Sequence, residues 1–382
     1  MADKRRLVFI SSGDFESPMG IRARSFAVHL GQRWKVLISY QKTNKLVSLV
    51  NNILFLLRYK PDKVVVLDCH FSGVVAGIFY FLFFGKSYLL DTGDAIFELG
   101  KAIGRSNTSL FLTYLLEYFG FLFALRVIVR GRGHFKYLGT KAKNAIWIPD
   151  GVNVKQFIGN SCGLDSTKSS LVIGLIGSLS WNSKTEYCYG MELIEVVYGL
   201  VRQNITSVQG IIIGDGSGLK FLKKRVFDLG LEGYIQFLGK VRYDDLPPLI
   251  SKFSVALSNQ TNDKVGDVRT TGKLPLYLSS GCFIFSTKVG EASRILPNEM
   301  LISISGFSNT EFSDKVIERI VQKLNCGDSF NYDEGPSIAK KFFEYSNLSL
   351  QYEKAILTKH KTCPEPNLPA KDHWTQVQRS SI

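Results

Sequence analysis

The chain has 382 residues, 45% hydrophobic and 12% aromatic, with 47 Lys+Arg against 33 Asp+Glu. That composition excludes a disordered or fibrous protein, and at ~100–200 residues per domain the length predicts two domains. The six cysteines, at 69, 162, 188, 282, 326 and 363, include no CxxC pair, which argues against a disulfide framework or a zinc site and for a reducing cytosol.

The N-terminus, Met-Ala-Asp-Lys-Arg-Arg and then Leu7 to Ile10, opens like a signal peptide. Its apolar run is too short for one and breaks at once into Ser11-Ser12-Gly13-Asp14, so a first strand is expected instead. Strand-like runs at 7–12, 35–39, 64–68, 88–91, 127–129 and 146–148 alternate with helix-length segments. The pattern repeats at 172–177, 211–214, 235–238, 255–258, 283–286 and 301–305. Alternation of this kind predicts an α/β protein: two Rossmann-like domains with mainly parallel sheets.

Two long apolar stretches interrupt the first half. Residues 71–84 carry no charge and 110–125 only Glu117. Both fall short of the ~20 apolar residues a spanning helix needs. Helices packed on a sheet are expected, with an aromatic face turned to a bilayer surface as the alternative. Residues 1–150 also hold 21 Lys+Arg against 10 Asp+Glu. A basic half attracts an anionic membrane surface or a phosphorylated lipid, or is simply solvated. No zinc-finger spacing, RNP-like strand or dense arginine helix is present, so no nucleic-acid partner is expected.

The junction falls at Trp147-Ile148-Pro149-Asp150-Gly151-Val152-Asn153, followed by a polar linker at 161–170. The expected domains are 1–150 and 151–338, with a final helix at 339–357 and a polar tail at 362–382.

Four loops at predicted strand ends carry candidate chemistry. The first runs from Ser11 through Gly13 and Gly20 to Arg24 and leads into a helix, where free N–H groups favour an anion. G-x-G-x-x-G is absent, which argues against NAD. The second is Gly177-Ser178 to Lys184, and the third Gly214-Asp215-Gly216-Ser217-Gly218. The fourth spans 263–282 and contains Arg269-Thr270-Thr271-Gly272-Lys273. The five histidines are scattered, no Asp-x-Asp occurs and no His/Cys/carboxylate group has ligand spacing, so no metal and no cofactor are expected.

The segment 211–259 and the run Ile148 to Phe157 resemble glycosyltransferase family 4, whose members have two Rossmann-like domains facing a cleft, the GT-B fold. The resemblance spans roughly residues 5 to 357. It implies a retaining glycosyltransferase, moving a sugar from a nucleoside-diphosphate donor to a glycan or lipid-linked acceptor in cell-surface polysaccharide or glycolipid assembly. The expected location is cytoplasmic, at the inner face of a membrane.

Residue by residue, the resemblance assigns catalysis to Asp94, Lys184 and Lys273, and donor diphosphate binding to Lys184, Arg269, Thr271, Gly272 and Lys273. It assigns nucleotide or sugar binding to Gly177, Ser178, Gly214, Asp215, Gly216 and Glu291, and an acceptor-side loop to Gly13, Gly20 and Arg24. The chain departs from the family at Ser178, where an Arg is usual, at Gly93, where His is frequent, and at Val268 and Leu276, which stand in place of two glutamates. Those losses keep two rivals open: a catalytically weakened sugar-nucleotide-binding protein, and a sugar-nucleotide epimerase of the same fold.

Overall fold

The computed structural model describes residues 4–42, 44–142, 144–158, 170–269, 271–305 and 309–358. Apart from Ser170 the expected linker lies outside them, as do the expected polar tail, Thr270, Cys162 and Cys363. The other four cysteines are free thiols.

The first sheet holds β1 (Arg5–Ile10), β2 (Trp34–Ser39), β3 (Lys63–Leu67), β4 (Tyr88–Thr92), β5 (Arg126–Val129) and β6 (Ala145–Trp147), all parallel, in the order β2-β1-β3-β4-β5-β6. Successive side chains leave a strand on opposite faces, and here both faces are buried, as a parallel sheet requires. Val8, Ile10, Val64, Val66, Leu90 and Val127 point to one face, against the helices Lys45–Tyr59, Phe71–Phe84 and Asn107–Phe123. Leu7, Phe9, Val65, Leu67, Leu89 and Ile128 point to the other, against Phe26 of the helix Pro18–Leu30 and Tyr352 of the helix Tyr345–Leu357.

The second sheet holds β7 (Leu171–Ile176), β8 (Val208–Ile213), β9 (Ile235–Gly239), β10 (Val255–Ser258), β11 (Phe283–Thr287) and β12 (Leu301–Ile302), again parallel, in the order β12-β11-β10-β7-β8-β9. Strand order therefore reverses at β1/β3 in one sheet and at β7/β10 in the other. Ligands of open parallel sheets lie at such points, beyond the carboxyl ends of the strands.

Two elements differ from the sequence expectation. The strand expected at 301–305 pairs only over Leu301 and Ile302, because Ser305 turns away to Glu311, whose carboxylate accepts from its amide and hydroxyl at 2.8 Å each. The helix expected at 339–357 is two, Gly335–Phe342 and Tyr345–Leu357. Between them the backbone pairs with Val152: its amide donates to Phe343 O at 2.8 Å and its carbonyl accepts from Tyr345 N at 3.2 Å. Among the described residues no helix is long and apolar enough to cross a membrane.

Candidate functional site

At the carboxyl ends of the first sheet the chain gathers charge above an apolar floor. Arg22 sits on the helix face shared by Met19, Ala23 and Phe26, a spacing that points it at the sheet. It is 1% exposed. Its Nε donates to Asp91 Oδ2 at 2.9 Å, Nη1 to Pro149 O at 2.7 Å and Asp150 Oδ1 at 3.3 Å, and Nη2 to Ile148 O at 2.9 Å. Tyr352 Oη also donates to Asp91 Oδ2, at 2.7 Å. Arg130, at the end of β5, pairs with Asp68 and with Asp91 Oδ1 at 3.3 Å. A Cβ at Gly93 would lie 2.9 Å from Arg130 Nη1, so glycine here leaves room for the guanidinium. Burial leaves the Asp150 carboxyl above its ordinary range, although Arg130 and Arg22 oppose the shift.

The second sheet faces this cluster. Arg269 Nε donates to Asp94 Oδ1 at 2.8 Å. Burial pushes the Asp94 carboxyl up, but Arg269 outweighs it and holds the group below its usual value. Arg132 Nε and Nη2 reach Glu291 Oε2 at 3.0 and 2.8 Å, and the Arg132 amide donates to the other oxygen. Gly133 lies so close to the second sheet's loops that a Cβ there would fall 2.1 Å from Asp267 O. Close by, the helices Ile96–Ala102 and Lys264–Val268 flank a groove of about 340 Å³, lined by Glu98, Lys101, Ala102, Asp263, Lys264 and Val265.

Lys273 opens the helix Lys273–Ser279, with Nζ 4.9 Å from the Tyr189 ring. Burial pushes its ammonium down to about 8, against the pull of Glu192. Glu192 itself is 0% exposed. Its Oε2 accepts from Tyr187 Oη at 2.8 Å and Gly190 N at 2.9 Å, while Oε1 has no hydrogen-bond partner among the described residues. Burial raises its pKa, with Lys273 opposing. His134 is also enclosed, which pushes its imidazole down to about 4. The arrangement offers the cations of Arg269 and Lys273 to a ligand between the sheets, while the His134 imidazole is closed off from it. Among the described residues, no group of three or more His, Cys, Asp or Glu is placed to hold a metal ion.

No family model and no curated protein sequence matches the chain. Solved structures do. Sucrose-phosphate synthase from Thermosynechococcus elongatus superposes with a TM-score of 0.72 at 14% identity, covering 99% of this chain and 100% of that one. Anabaena Alr3699/HepE, solved in complex with UDP and glucose, gives 0.67 at 16% identity, over 92% and 98%. A putative UDP-N-acetylglucosamine 2-epimerase from Listeria monocytogenes gives 0.61 at 11% identity, over 96% and 100%. The chain has the GT-B fold. Identities this low establish the fold alone.

Within the GT-B cleft the expected residues fall into three groups. Asp94, Arg269, Thr271, Gly272 and Lys273 come together: Asp94 pairs with Arg269, and a Cβ at Gly272 would lie 4.0 Å from Asp150 Oδ2. Lys184 is exposed across the opening, its Cδ 3.7 Å from where a Cβ at Gly104 would stand.

The second group serves packing. Gly214, at φ +147°, brings its Cα against Gly177 O, where a Cβ would sit at 1.9 Å, and a Cβ at Gly216 would lie 2.5 Å from Leu179 O. These glycines let the loop after β8 dock onto the loop after β7. Asp215 and Ser178 remain exposed, and Gly177 has open space beside it. Gly20 lies beneath the loop it was expected to open, with Asp14 O 2.1 Å from a Cβ position. Gly13 faces Ser17, the helix cap whose Oγ accepts from Gly20 N at 3.0 Å.

The third group is engaged elsewhere. Arg24 lies over the Phe15 ring at 3.7 Å, pointing along the loop rather than into the charge cluster. The Glu291 carboxylate is taken up by Arg132, which leaves it no free oxygen for a ribose in this conformation. Sequence reasoning missed Arg22, Arg130, Glu192 and His134. For Arg22 a signal existed: it shares the 19, 23, 26, 30 stripe, and Arg24 does not.

Proposed function

We propose that the chain is a retaining glycosyltransferase that uses a nucleoside-diphosphate sugar, with one lobe of 1–150 plus Tyr345–Leu357 and another of 151–343 closing on donor and acceptor. Ala339 and Phe343, expected with the first lobe, pack in the core of the second. The observation that carries this reading is the convergence of Arg269 and Lys273 with Asp94 between the carboxyl ends of two parallel sheets. In the proposed reaction the bond from the anomeric carbon to the diphosphate oxygen breaks and a bond to the acceptor oxygen forms on the same face. The acceptor proton passes to the departing phosphate. Lys273, Arg269, Lys184 and the amides of Thr271 and Gly272 stabilise that phosphate, and Asp94 gives up Arg269 to it. Gly177, Ser178 and Asp215 are the remaining candidates for the nucleotide. The neighbour solved with UDP and glucose supports this donor class.

The acceptor is proposed to be a glycan or lipid-linked, with the protein peripheral to the inner face of a membrane. An epimerase of this fold would need free acids and bases in the cleft. Asp68, Asp91, Asp94 and Asp150 are all paired with arginine. A weakened binding protein is favoured by one observation, that Val268 and Leu276 are buried apolar residues 2% and 5% exposed, with no carboxylate at the ribose position.

A thermal-shift series with UDP, GDP, TDP and their sugars separates these readings. Ligand at a hundred times its Kd stabilises the native state by about 2.7 kcal/mol, so at least one should raise Tm by several degrees and support transfer or hydrolysis. A shift without turnover selects the binding protein; neither sinks both.

Lys273 also predicts a pH dependence. Its folded pKa of about 8 lies below the ordinary 10.5, so between those values the unfolded chain binds more protons and stability rises with pH. Diphosphate affinity runs the other way, because it needs the ammonium. Isothermal titration should show affinity falling above pH 8, by at most about tenfold per unit, and Lys273→Arg should flatten the profile. A flat wild-type profile to pH 10 would remove Lys273 from the diphosphate.

A further inference from the structure

Three helices cover one face of the first sheet, Lys45–Tyr59, Phe71–Phe84 and Asn107–Phe123, and their outer surfaces are apolar. Leu82 is 62% exposed, Phe83 70%, Phe111 60% and Leu112 60%, with Leu54 and Phe119 also exposed. Single exposed apolar residues are normal, whereas a contiguous patch marks a contact surface. The helices are packed side by side, and the Phe81 and Phe123 rings lie 6.0 Å apart across the second and third.

The charge around this face is predominantly positive. The three helices contain a single carboxylate, Glu117, which is buried and accepts from Ile96 N at 3.1 Å and Tyr137 Oη at 2.6 Å. At the helix ends stand exposed Lys45, Arg58, Lys60, Lys86 and Arg105, against exposed Asp62, whose Oδ2 accepts from Arg6 N at 2.8 Å. Aromatic and aliphatic residues framed by cations are what an anionic bilayer surface accepts: the rings enter the headgroup layer and the cations meet lipid phosphates.

A second copy fits poorly. A two-fold contact would set the same patch against itself, bringing like-charged rims together. The chain beyond residue 358 follows a helix packed on the opposite face of the sheet.

We propose that this three-helix face seats the protein on an anionic membrane surface and holds the cleft at headgroup level, so that the acceptor is lipid-linked. The proposal rests on the transferase reading for its last clause. The geometry supplies the link, because the Phe111 end of the face leads through Arg105 and Gly104 to Lys184 and the interlobe groove.

Co-sedimentation of the full chain with phosphatidylcholine vesicles, with and without phosphatidylglycerol, tests it. Binding should require phosphatidylglycerol and weaken with salt. Leu82→Glu/Phe83→Glu should reduce it more than tenfold, and Lys45→Glu/Lys86→Glu by roughly fivefold or more per residue, with melting temperatures unchanged because all four side chains are exposed. Equal binding to both vesicles, no binding, or variants that bind like the wild type would overturn the proposal. So would a dimer in sedimentation equilibrium that Leu82→Glu/Phe83→Glu dissociates. Nucleotide thermal shifts on the same preparation keep the two readings apart: a shift that persists without vesicle binding sinks only the membrane face.

Discussion

Arg22→Ala should lower the melting temperature by on the order of 10 °C, the largest loss from any single cleft residue. The side chain is fully buried and spends its donors on Asp91, Asp150 and two carbonyls of the segment after β6. Removing one partner of a buried ion pair costs about 3–5 kcal/mol, because the other charge is left uncompensated, and in chains above 150 residues each kcal/mol moves Tm by about 2–4 °C. Phe26 and Tyr352, stacked at 5.0 and 5.9 Å from the guanidinium, lose a packing partner as well. Arg22→Lys should recover little, since an ammonium cannot serve four acceptors at once. Tyr352→Phe, which deletes one hydrogen bond to the Asp91 carboxylate, should cost about 1.5–3 kcal/mol. A differential scan that ranks Tyr352→Phe at or above Arg22→Ala would show that the charge network does not organise this lobe.

Lys273→Ala should reduce kcat/KM by about 100- to 1,000-fold, the usual effect of deleting a preorganised group that meets charge as it develops. Stability should barely change. The alanine removes a half-buried cation whose charge is already disfavoured, and Glu192, deprived of it, can protonate. Loss concentrated in kcat would place the ammonium on the departing diphosphate, whereas a rise in KM alone would place it on the bound donor. Lys184→Ala should do less, because that side chain is solvated. Activity within threefold of wild type in Lys273→Ala would mean that the cleft chemistry lies elsewhere.

Much of the fold was legible because it is written locally. Every strand of both sheets has its core in an apolar run, and the chargeless segment 71–84 became the helix Phe71–Phe84 with those same limits. What the sequence hid depends on partners far along the chain. Glu291 reads as a free carboxylate in a loop, and only the approach of Arg132, 159 residues away, commits it. Glycine turns looked like ligand loops, yet the close contacts of Gly214 and Gly216 are with the loop at 177–179, a need of packing that leaves the same signature. The family resemblance points to Arg24 as the helix arginine after the first loop, whereas Arg22 is committed by four acceptors that only the fold assembles around it. The break at Phe343 and Glu344 follows from pairing with Val152, which no local propensity encodes.

The bond between Tyr352 and Asp91 joins residues 261 apart. The first sheet is synthesised early, yet its Pro18–Leu30 side is only partly covered until the helix Tyr345–Leu357 leaves the ribosome. At 5–20 residues per second the later lobe has time to fold while the earlier one waits, its hydrophobic flank open to chaperones. The half made first is therefore the half finished last.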